Sequence, residues 1–273
     1  MDTGQKQLFI KPFLKWAGGK RWLVSNHSNL IPRDYGRYIE PFLGSGAVFF
    51  HLLPNKALLG DTNEPLIITY NALKHNWKLV HRYLRRHQTL HSKDYYYQVR
   101  ASSPRSMATK AAKFIYLNRT CFNGLYRVNL EGKFNVPIGT RQSVIRADDQ
   151  FSDISTALES ADLYPADFEN LINLATANDL IFADPPYTVT HNNNSFIKYN
   201  EKLFSWSDQL RLFHALKRAQ KRGAKVISTN ACHPKIMELY QKDFRIIEVC
   251  RNSLISSKNE QRKLSQEIVI LTR

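Results

Sequence analysis

Four consecutive residues, Asp184-Pro185-Pro186-Tyr187, join a carboxylate, two rigid imino acids and an aromatic ring. The chemistry they suit is attack by a planar aromatic amine, of which the exocyclic amine of adenine is the type. Such an amine is a poor nucleophile, because its lone pair is delocalised into the ring. Acceptors aimed at its two hydrogens favour a tetrahedral nitrogen and stabilise the positive charge that grows there. The Asp184 carboxylate and the Pro185 carbonyl are candidate acceptors, and the prolines hold that carbonyl without reorganisation. Tyr187 offers a flat face for a base taken out of its stack. The same four residues also suit a plain strand end, with the aspartate bonding a turn and the tyrosine packed.

The elements around this corner favour a ligand site. Leu180-Ile181-Phe182 is a short apolar run bounded by breakers, which predicts a buried parallel strand. The prolines end its ladder, so Asp184 falls just past the carboxyl end, where open α/β sheets bind ligands. Residues 38–42 predict a second strand, followed by Leu43-Gly44-Ser45-Gly46 and an apolar helix start at Ala47. A strand, a Gly-x-Gly turn and a helix open a nucleotide-binding half, but the third glycine of Gly-x-Gly-x-x-Gly is absent. That counts against a pyrophosphate cofactor and leaves room for a nucleoside without phosphates. Residues 56–60 predict the next strand, ending at Asp61, 17 residues beyond Gly44. Asp61 is placed to accept from ribose hydroxyls or to cap the helix that enters at Thr62-Asn63-Glu64-Pro65. Further upstream, Gly18-Gly19 lets backbone approach a ligand between Trp16 and Lys20.

After Asp61 the alternation of strand and helix stops. Leu66, Tyr70, Leu73, Trp77, Val80 and Leu84 recur at spacings of four and three, an amphipathic helix with its Lys/Arg/His side turned outward. Ala108, Ala111, Ala112 and Ile115 mark another helix, so residues 64–150 read as an inserted helical module. Within residues 74–110 there are nine Lys/Arg and one acid, Asp94, interleaved with His75, His81, His87 and His91. No carboxylate or cysteine partner makes those histidines a metal site, and the charge skew points to phosphate contact. Residues 118–139 hold two short β-like runs about turns at Asn123-Gly124 and Glu131-Gly132, a hairpin pattern. Asn123 and Arg127 are side chains that read base edges, and Phe122 could wedge into a base stack. Downstream, residues 188–205 form a long asparagine-rich connection with Phe196 and Tyr199, a candidate lid. Ser207 is the expected cap of a helix running to about Arg222 and closed by Gly223. A strand at 224–228, a short helix at 234–241 and strands at 244–250 and 266–271 complete the chain, the last two joined by a basic loop.

Composition sets the frame. The 273 residues, 43% hydrophobic and 12% aromatic, are enough for one large domain or two smaller ones. Lys and Arg number 39 against 23 Asp and Glu, a net charge of +16 that implies a polyanionic partner, nucleic acid before membrane. No run reaches the length of a membrane span, and the N-terminus lacks a secretory pattern. Three scattered cysteines argue against disulfides and zinc and fit a reducing cytoplasm.

Three blocks taken together, Phe13-Leu14-Lys15-Trp16-Ala17-Gly18-Gly19-Lys20, Glu40-Pro41-Phe42-Leu43-Gly44-Ser45-Gly46 and Asp184-Pro185-Pro186-Tyr187, resemble the DNA adenine methylase family. The insert's Phe122-Asn123-Gly124-Leu125-Tyr126-Arg127 and Phe134-Asn135-Val136-Pro137 look like that family's target-recognition hairpin. The resemblance implies a Rossmann-like class I methyltransferase sheet, α/β in class, with catalytic segments 1–63 and 151–273 around a recognition domain at 64–150. It implies S-adenosylmethionine as cofactor, bound by Trp16, Lys20, Gly44, Gly46, Asp61 and Asp184. Asp184, Pro185 and Tyr187 are then the catalytic residues, and Lys15, Phe122, Asn123, Leu125, Arg127 and Pro137 contact double-stranded DNA at GATC. Base flipping and direct attack follow, with no metal, no membrane and no obligate protein partner, in a bacterial cell or a phage-infected host. Two departures stand out: Phe122 replaces a tyrosine, and Thr140 stands where an arginine is common, with Arg141 adjacent. The rival expectations are the same chemistry on another DNA sequence, on RNA or on a protein amide, and a DNA-binding relative without catalysis.

Overall fold

The computed structural model describes residues 9–124, 126–129, 132–188, 204–252 and 264–273. The chain forms two compact units. One takes the described residues of 1–24, 43–55 and 63–165, the other those of 25–42, 56–62 and 166–273. In chain order the strands are β1 (Tyr38–Glu40), β2 (Ala57–Asp61), β3 (Ala161–Pro165), β4 (Leu180–Ala183), β5 (Lys225–Ala231), β6 (Arg245–Asn252) and β7 (Leu264–Leu271).

All but β3 belong to the second unit, where they run in the order β2-β1-β4-β5-β7-β6. The first four are parallel, and β7 and β6 join antiparallel at the far side. This is the expected α/β sheet. All four residues of β4 are buried, which a strand covered on both faces requires, hence its unbroken apolar run. β1 connects onward to β2 on one side, and β4 to β5 on the other, so the topological switch lies between β1 and β4. Ile39, Ile181 and Val226 from the strands form one core with Phe168, Leu171, Leu212, Leu216 and Tyr240 from helices. The last two strands begin or end a residue or two outside the expected bounds, with Ile246 paired to Ile270 and Glu248 to Ile268.

The first unit is mainly helical. Helices α1 (Arg21–Asn26), which begins in it, and α2 (Ala47–Leu52) precede α3 (Glu64–Leu90), α4 (Lys93–Ala101), α5 (Met107–Thr120) and α6 (Phe151–Glu159). The expected apolar stripe of α3 is buried at Leu66, Tyr70, Leu73, Val80 and Leu84, against α5 and α6. Asn63, rather than Asp61, caps α3: its side chain accepts from the Leu66 N–H at 3.1 Å. At Asn76 the backbone leaves the helix (φ −157°, ψ 62°), and its Oδ1 accepts from Leu79 N–H at 3.1 Å. The bend thus carries its own cap. The pattern of residues 91–106 and 151–165 gave no expectation of α4, α6 or β3.

The second unit adds α7 (Phe168–Asn173), α8 (Trp206–Lys221) and α9 (Pro234–Tyr240). The cap of α8 is Ser205, not Ser207. Ser205 Oγ accepts from Asp208 N–H at 3.2 Å while Asp208 accepts from Ser205 N–H at 2.9 Å, a reciprocal pair that places Ser207 inside the first turn. Most of the candidate lid, with Phe196 and Tyr199, lies outside the described residues.

The basic block divides between surface and interior. Lys78, Arg82, Arg85, Arg86, Lys93, Arg105 and Lys110 are exposed, but Lys74 turns inward to donate to the Ala161 carbonyl at 2.7 Å. His87 also turns inward. Its ring stacks 4.8 Å from that of Tyr116, and its Nδ1 lies 2.8 Å from the Tyr95 hydroxyl. Burial, and then the nearby Arg86 charge, push the His87 pKa down to about 4. The native state therefore holds this ring neutral while the unfolded chain protonates it near pH 6.5. Its stabilising contribution is present above that value and is lost as pH falls towards 4. Urea unfolding at pH 7 and pH 5 is expected to show a smaller loss of stability for His87→Phe than for the native chain. An equal loss would mean that the ring is not held neutral.

Candidate active site

The second unit holds the Asp-Pro-Pro-Tyr corner, the candidate catalytic segment. Asp184-Pro185-Pro186-Tyr187 leaves β4 at its carboxyl end, beside the switch point, as expected. The Asp184 and Tyr187 side chains are each held by another strand. Thr229, fully buried on β5, donates from Oγ1 to Asp184 Oδ1 at 2.7 Å. Tyr187 donates its hydroxyl to Glu267 Oε2 at 2.6 Å, and Glu267 on β7 is only 2% exposed. Burial, joined by the Glu267 and Asp184 carboxylates, holds the Tyr187 phenol well above the ordinary tyrosine range. The ring is thus a protonated donor with its edge fixed. A carboxylate accepts up to about four bonds, so the Thr229 bond orients Asp184 without exhausting it.

Two more acids share this edge of the sheet. Glu40 ends β1 and Asp61 ends β2, and both strands run parallel to β4. Glu40 is 2% exposed and accepts from the Tyr38 hydroxyl at 2.9 Å. Carboxylates at three parallel strand ends make an acidic rim suited to a compact cation or to hydroxyl donors. Glu40, Thr229 and Glu267 were not anticipated as site residues. The signal was there for two of them: a Ser228-Thr229-Asn230 run inside a buried strand, and a lone acid in Glu267-Ile268-Val269-Ile270.

The first unit holds the glycine turn and the hairpin. Gly44 has φ +48°, and a Cβ there would sit 2.7 Å from Trp16 Cδ1, so the indole occupies the space that any side chain needs. Tyr70 pins the same turn by donating to the Gly44 carbonyl at 3.1 Å. Lys20 is 3% exposed and donates to the Gly18 carbonyl at 2.8 Å. The face of Trp16 is stacked on Tyr126, centroids 5.8 Å apart at 20°, which brings the N-terminal motif against the hairpin. The hairpin arms are antiparallel and meet at two isolated bridges among the described residues, Cys121 to Ile138 and Val128 to Phe134, with Phe122 N–H donating to the Pro137 carbonyl at 2.9 Å. Asn123, Arg127 and Pro137 are exposed, as is Phe122 at 56%, rare for so large an apolar group here. Leu125 lies outside the described residues. Lys15 is half-buried; burial, and then the Arg141 guanidinium, hold its ammonium below the ordinary lysine range.

A mainly parallel sheet with an Asp-Pro-Pro-Tyr corner at its switch point makes this an α/β protein of the kind that binds ligands at the carboxyl ends of its strands. The chain belongs to the D12 class N6 adenine-specific DNA methyltransferase family, whose model matches residues 16–254. It is 35% identical over 280 residues to type II methyltransferase M1.LlaDCHI of Lactococcus lactis subsp. cremoris, covering 99% of this chain and 98% of that protein. To type II methyltransferase M.MjaIII of Methanocaldococcus jannaschii it is 33% identical, covering 93% and 96%. To the DNA adenine methylase of Haemophilus influenzae it is 30% identical, covering 96% and 93%. The expected family is therefore the right one, and the protein is an adenine-specific DNA methyltransferase. Among the described residues no helix is long and apolar enough to cross a membrane.

Glu267 lies beyond the matched residues, so its bond to Tyr187 is a feature read from the structure alone. Glu267→Leu leaves the buried phenol without its acceptor, at a cost of about 1–3 kcal/mol. Single-turnover methylation is expected to slow about tenfold or more in Glu267→Leu, and far less in Glu267→Gln, whose amide oxygen still accepts. Equal rates for the two variants would remove Glu267 from any role in the site.

Proposed function

We propose that the enzyme methylates N6 of adenine within GATC in double-stranded DNA, using S-adenosylmethionine, with the target base flipped and attack direct. The observation that carries this reading is the Asp184 corner, whose acid and ring are each locked by a buried partner at the sheet's switch point. The residues suit the donor's chemistry. It has no phosphates, matching a turn without the third glycine, and its groups are those that Asp61, Asp184 and the buried Lys20 complement. Trp16, Lys20, Gly44, Gly46, Asp61 and Asp184 would hold it, and when bound it supplies a methyl group on a positively charged sulfur.

The protein's part is orientation and charge. Asp184 and the Pro185 carbonyl accept the two amine hydrogens, which pyramidalises the nitrogen and aims its lone pair. Thr229 fixes the Asp184 carboxylate beforehand, so little reorganisation accompanies the step. Tyr187 stacks on the flipped base with its edge tied to Glu267. Asp184 need not take a proton before attack, because the product ammonium is acidic enough to lose one afterwards. Lys15, Asn123, Leu125, Arg127 and Pro137 contact the target's bases, and Phe122 fills the gap left by the adenine. In this reading residues 64–150 are the recognition module of a catalytic domain that acts on DNA in the cytoplasm, and the exposed cations of α3 serve phosphates of any sequence.

Unmodified duplex DNA treated with enzyme and donor is expected to become sensitive to a nuclease that cuts only methylated GATC. Methyl incorporation without cutting would keep the chemistry and reject the sequence. Asp184→Ala is expected to retain DNA binding and lose turnover, measured by gel shift and by methyl incorporation; retained turnover would refute its role. Arg127→Ala is expected to lose about 1–3 kcal/mol of discrimination at one base pair, seen by comparing rates on singly substituted sites. Unchanged ratios would take Arg127 out of the reader.

A further inference from the structure

Asn118, in the last turn of α5, is fully buried, and its amide is committed to main chain rather than to another side chain. Its Oδ1 accepts from the Lys15 N–H at 3.0 Å, and its Nδ2 donates to the Lys15 carbonyl at 2.8 Å. The same Nδ2 reaches the Gly124 carbonyl at 3.4 Å. One amide therefore grips both main-chain groups of Lys15, as a neighbouring strand would, and extends to the turn that carries Asn123. The fit between the two segments is close: a Cβ on Gly124 would lie 2.6 Å from Lys15 Cδ and 3.2 Å from the Asn118 carbonyl oxygen.

The next residue anchors this clamp from within. Arg119 is 1% exposed and pairs with both oxygens of Asp149, at 2.6 and 2.7 Å. It also donates to the carbonyls of Phe13 at 3.1 Å and Val144 at 2.7 Å. Phe13 lies two residues before Lys15, so the segment is held at two successive points by the end of one helix. Only a neutral amide supplies what Asn118 supplies. A carboxylate could accept from Lys15 N–H, but it would present lone pairs to two carbonyls. An aliphatic side chain would leave buried donors and acceptors unpaired.

We propose that Asn118 is a positioning residue for sequence reading, which locks Lys15 to the Phe122–Gly124 turn so that both address the target as one rigid reader. This rests on the proposed base contacts of Lys15 and Asn123. Asn118 touches no DNA in this scheme; it sets the distance between two groups that do. Disturbing it relaxes selection at both positions together, whereas a general loss of folded enzyme lowers every rate alike.

The experiment compares Lys15→Ala, Asn123→Ala, Asn118→Asp and Asn118→Ala in single-turnover methylation. The substrates are the cognate duplex and duplexes changed at one base pair each, and the readout is the ratio of rates. Lys15→Ala and Asn123→Ala are each expected to relax one position. Either Asn118 variant is expected to relax both positions by about tenfold, and Asn118→Ala combined with Lys15→Ala to relax the Lys15 position no further than Lys15→Ala alone. An Asn118 variant that slows all duplexes by one common factor, or relaxes neither position, overturns the proposal. If Lys15→Ala changes no ratio while an Asn118 variant still relaxes the Asn123 position, the Lys15 contact fails and the clamp on the turn stands.

Discussion

The sheet-bearing unit depends on one constraint: a parallel strand buried on both faces must stop where two prolines deny it further pairing. β4 lies between β1 and β5, with all four of its residues buried and all four in register with β5. At Pro185 and Pro186 the ladder has no donors to continue with. The chain must turn away at the switch point, and the residue at that turn is Asp184. Its carboxylate and the Tyr187 hydroxyl are then held by Thr229 and Glu267, side chains that β5 and β7 bring to the same end of the sheet. The corner's rigidity thus comes from the sheet as much as from the prolines.

The helical unit solves a different problem, which is to hold an irregular segment still. Residues 13–20 form no strand, and the described residues of the hairpin form isolated bridges rather than a named strand, so neither has a long ladder to define it. Buried polar side chains take that role. Asn118 and Arg119 pair with main-chain groups of both regions, and the stack of Trp16 on Tyr126 closes the contact. Buried polar groups are costly unless satisfied, and when satisfied they specify a single arrangement.

The charge distribution follows the same division of labour. The net charge of +16 is carried in part by Lys78, Arg82, Arg85 and Arg86, exposed along α3. The carboxyl edge of the sheet instead carries Glu40, Asp61 and Asp184. The surface is thus divided into regions of opposite sign rather than carrying one uniform charge.

Short-range physics accounts for much of this protein directly from its residues. The apolar run of β4 and its prolines, the glycine turn, the stripe of α3, and the Asp61 and Asp184 strand ends were all legible, because each is a short pattern with one low-energy backbone solution. The family was legible for the same reason, since its motifs are contiguous. Caps were misread by two residues, at Asn63 and Ser205, where several polar residues compete and reciprocal hydrogen bonds decide. α4, α6, β3 and α7 went unread, because short helices and edge strands with many polar or tyrosine residues carry little periodicity. The partners are set by packing between distant segments: Glu267 lies 80 residues from Tyr187, and Asn118 lies 103 from Lys15. Nothing local relates such residues. Pairing across the sheet and the burial of an amide choose them, and those depend on the whole fold.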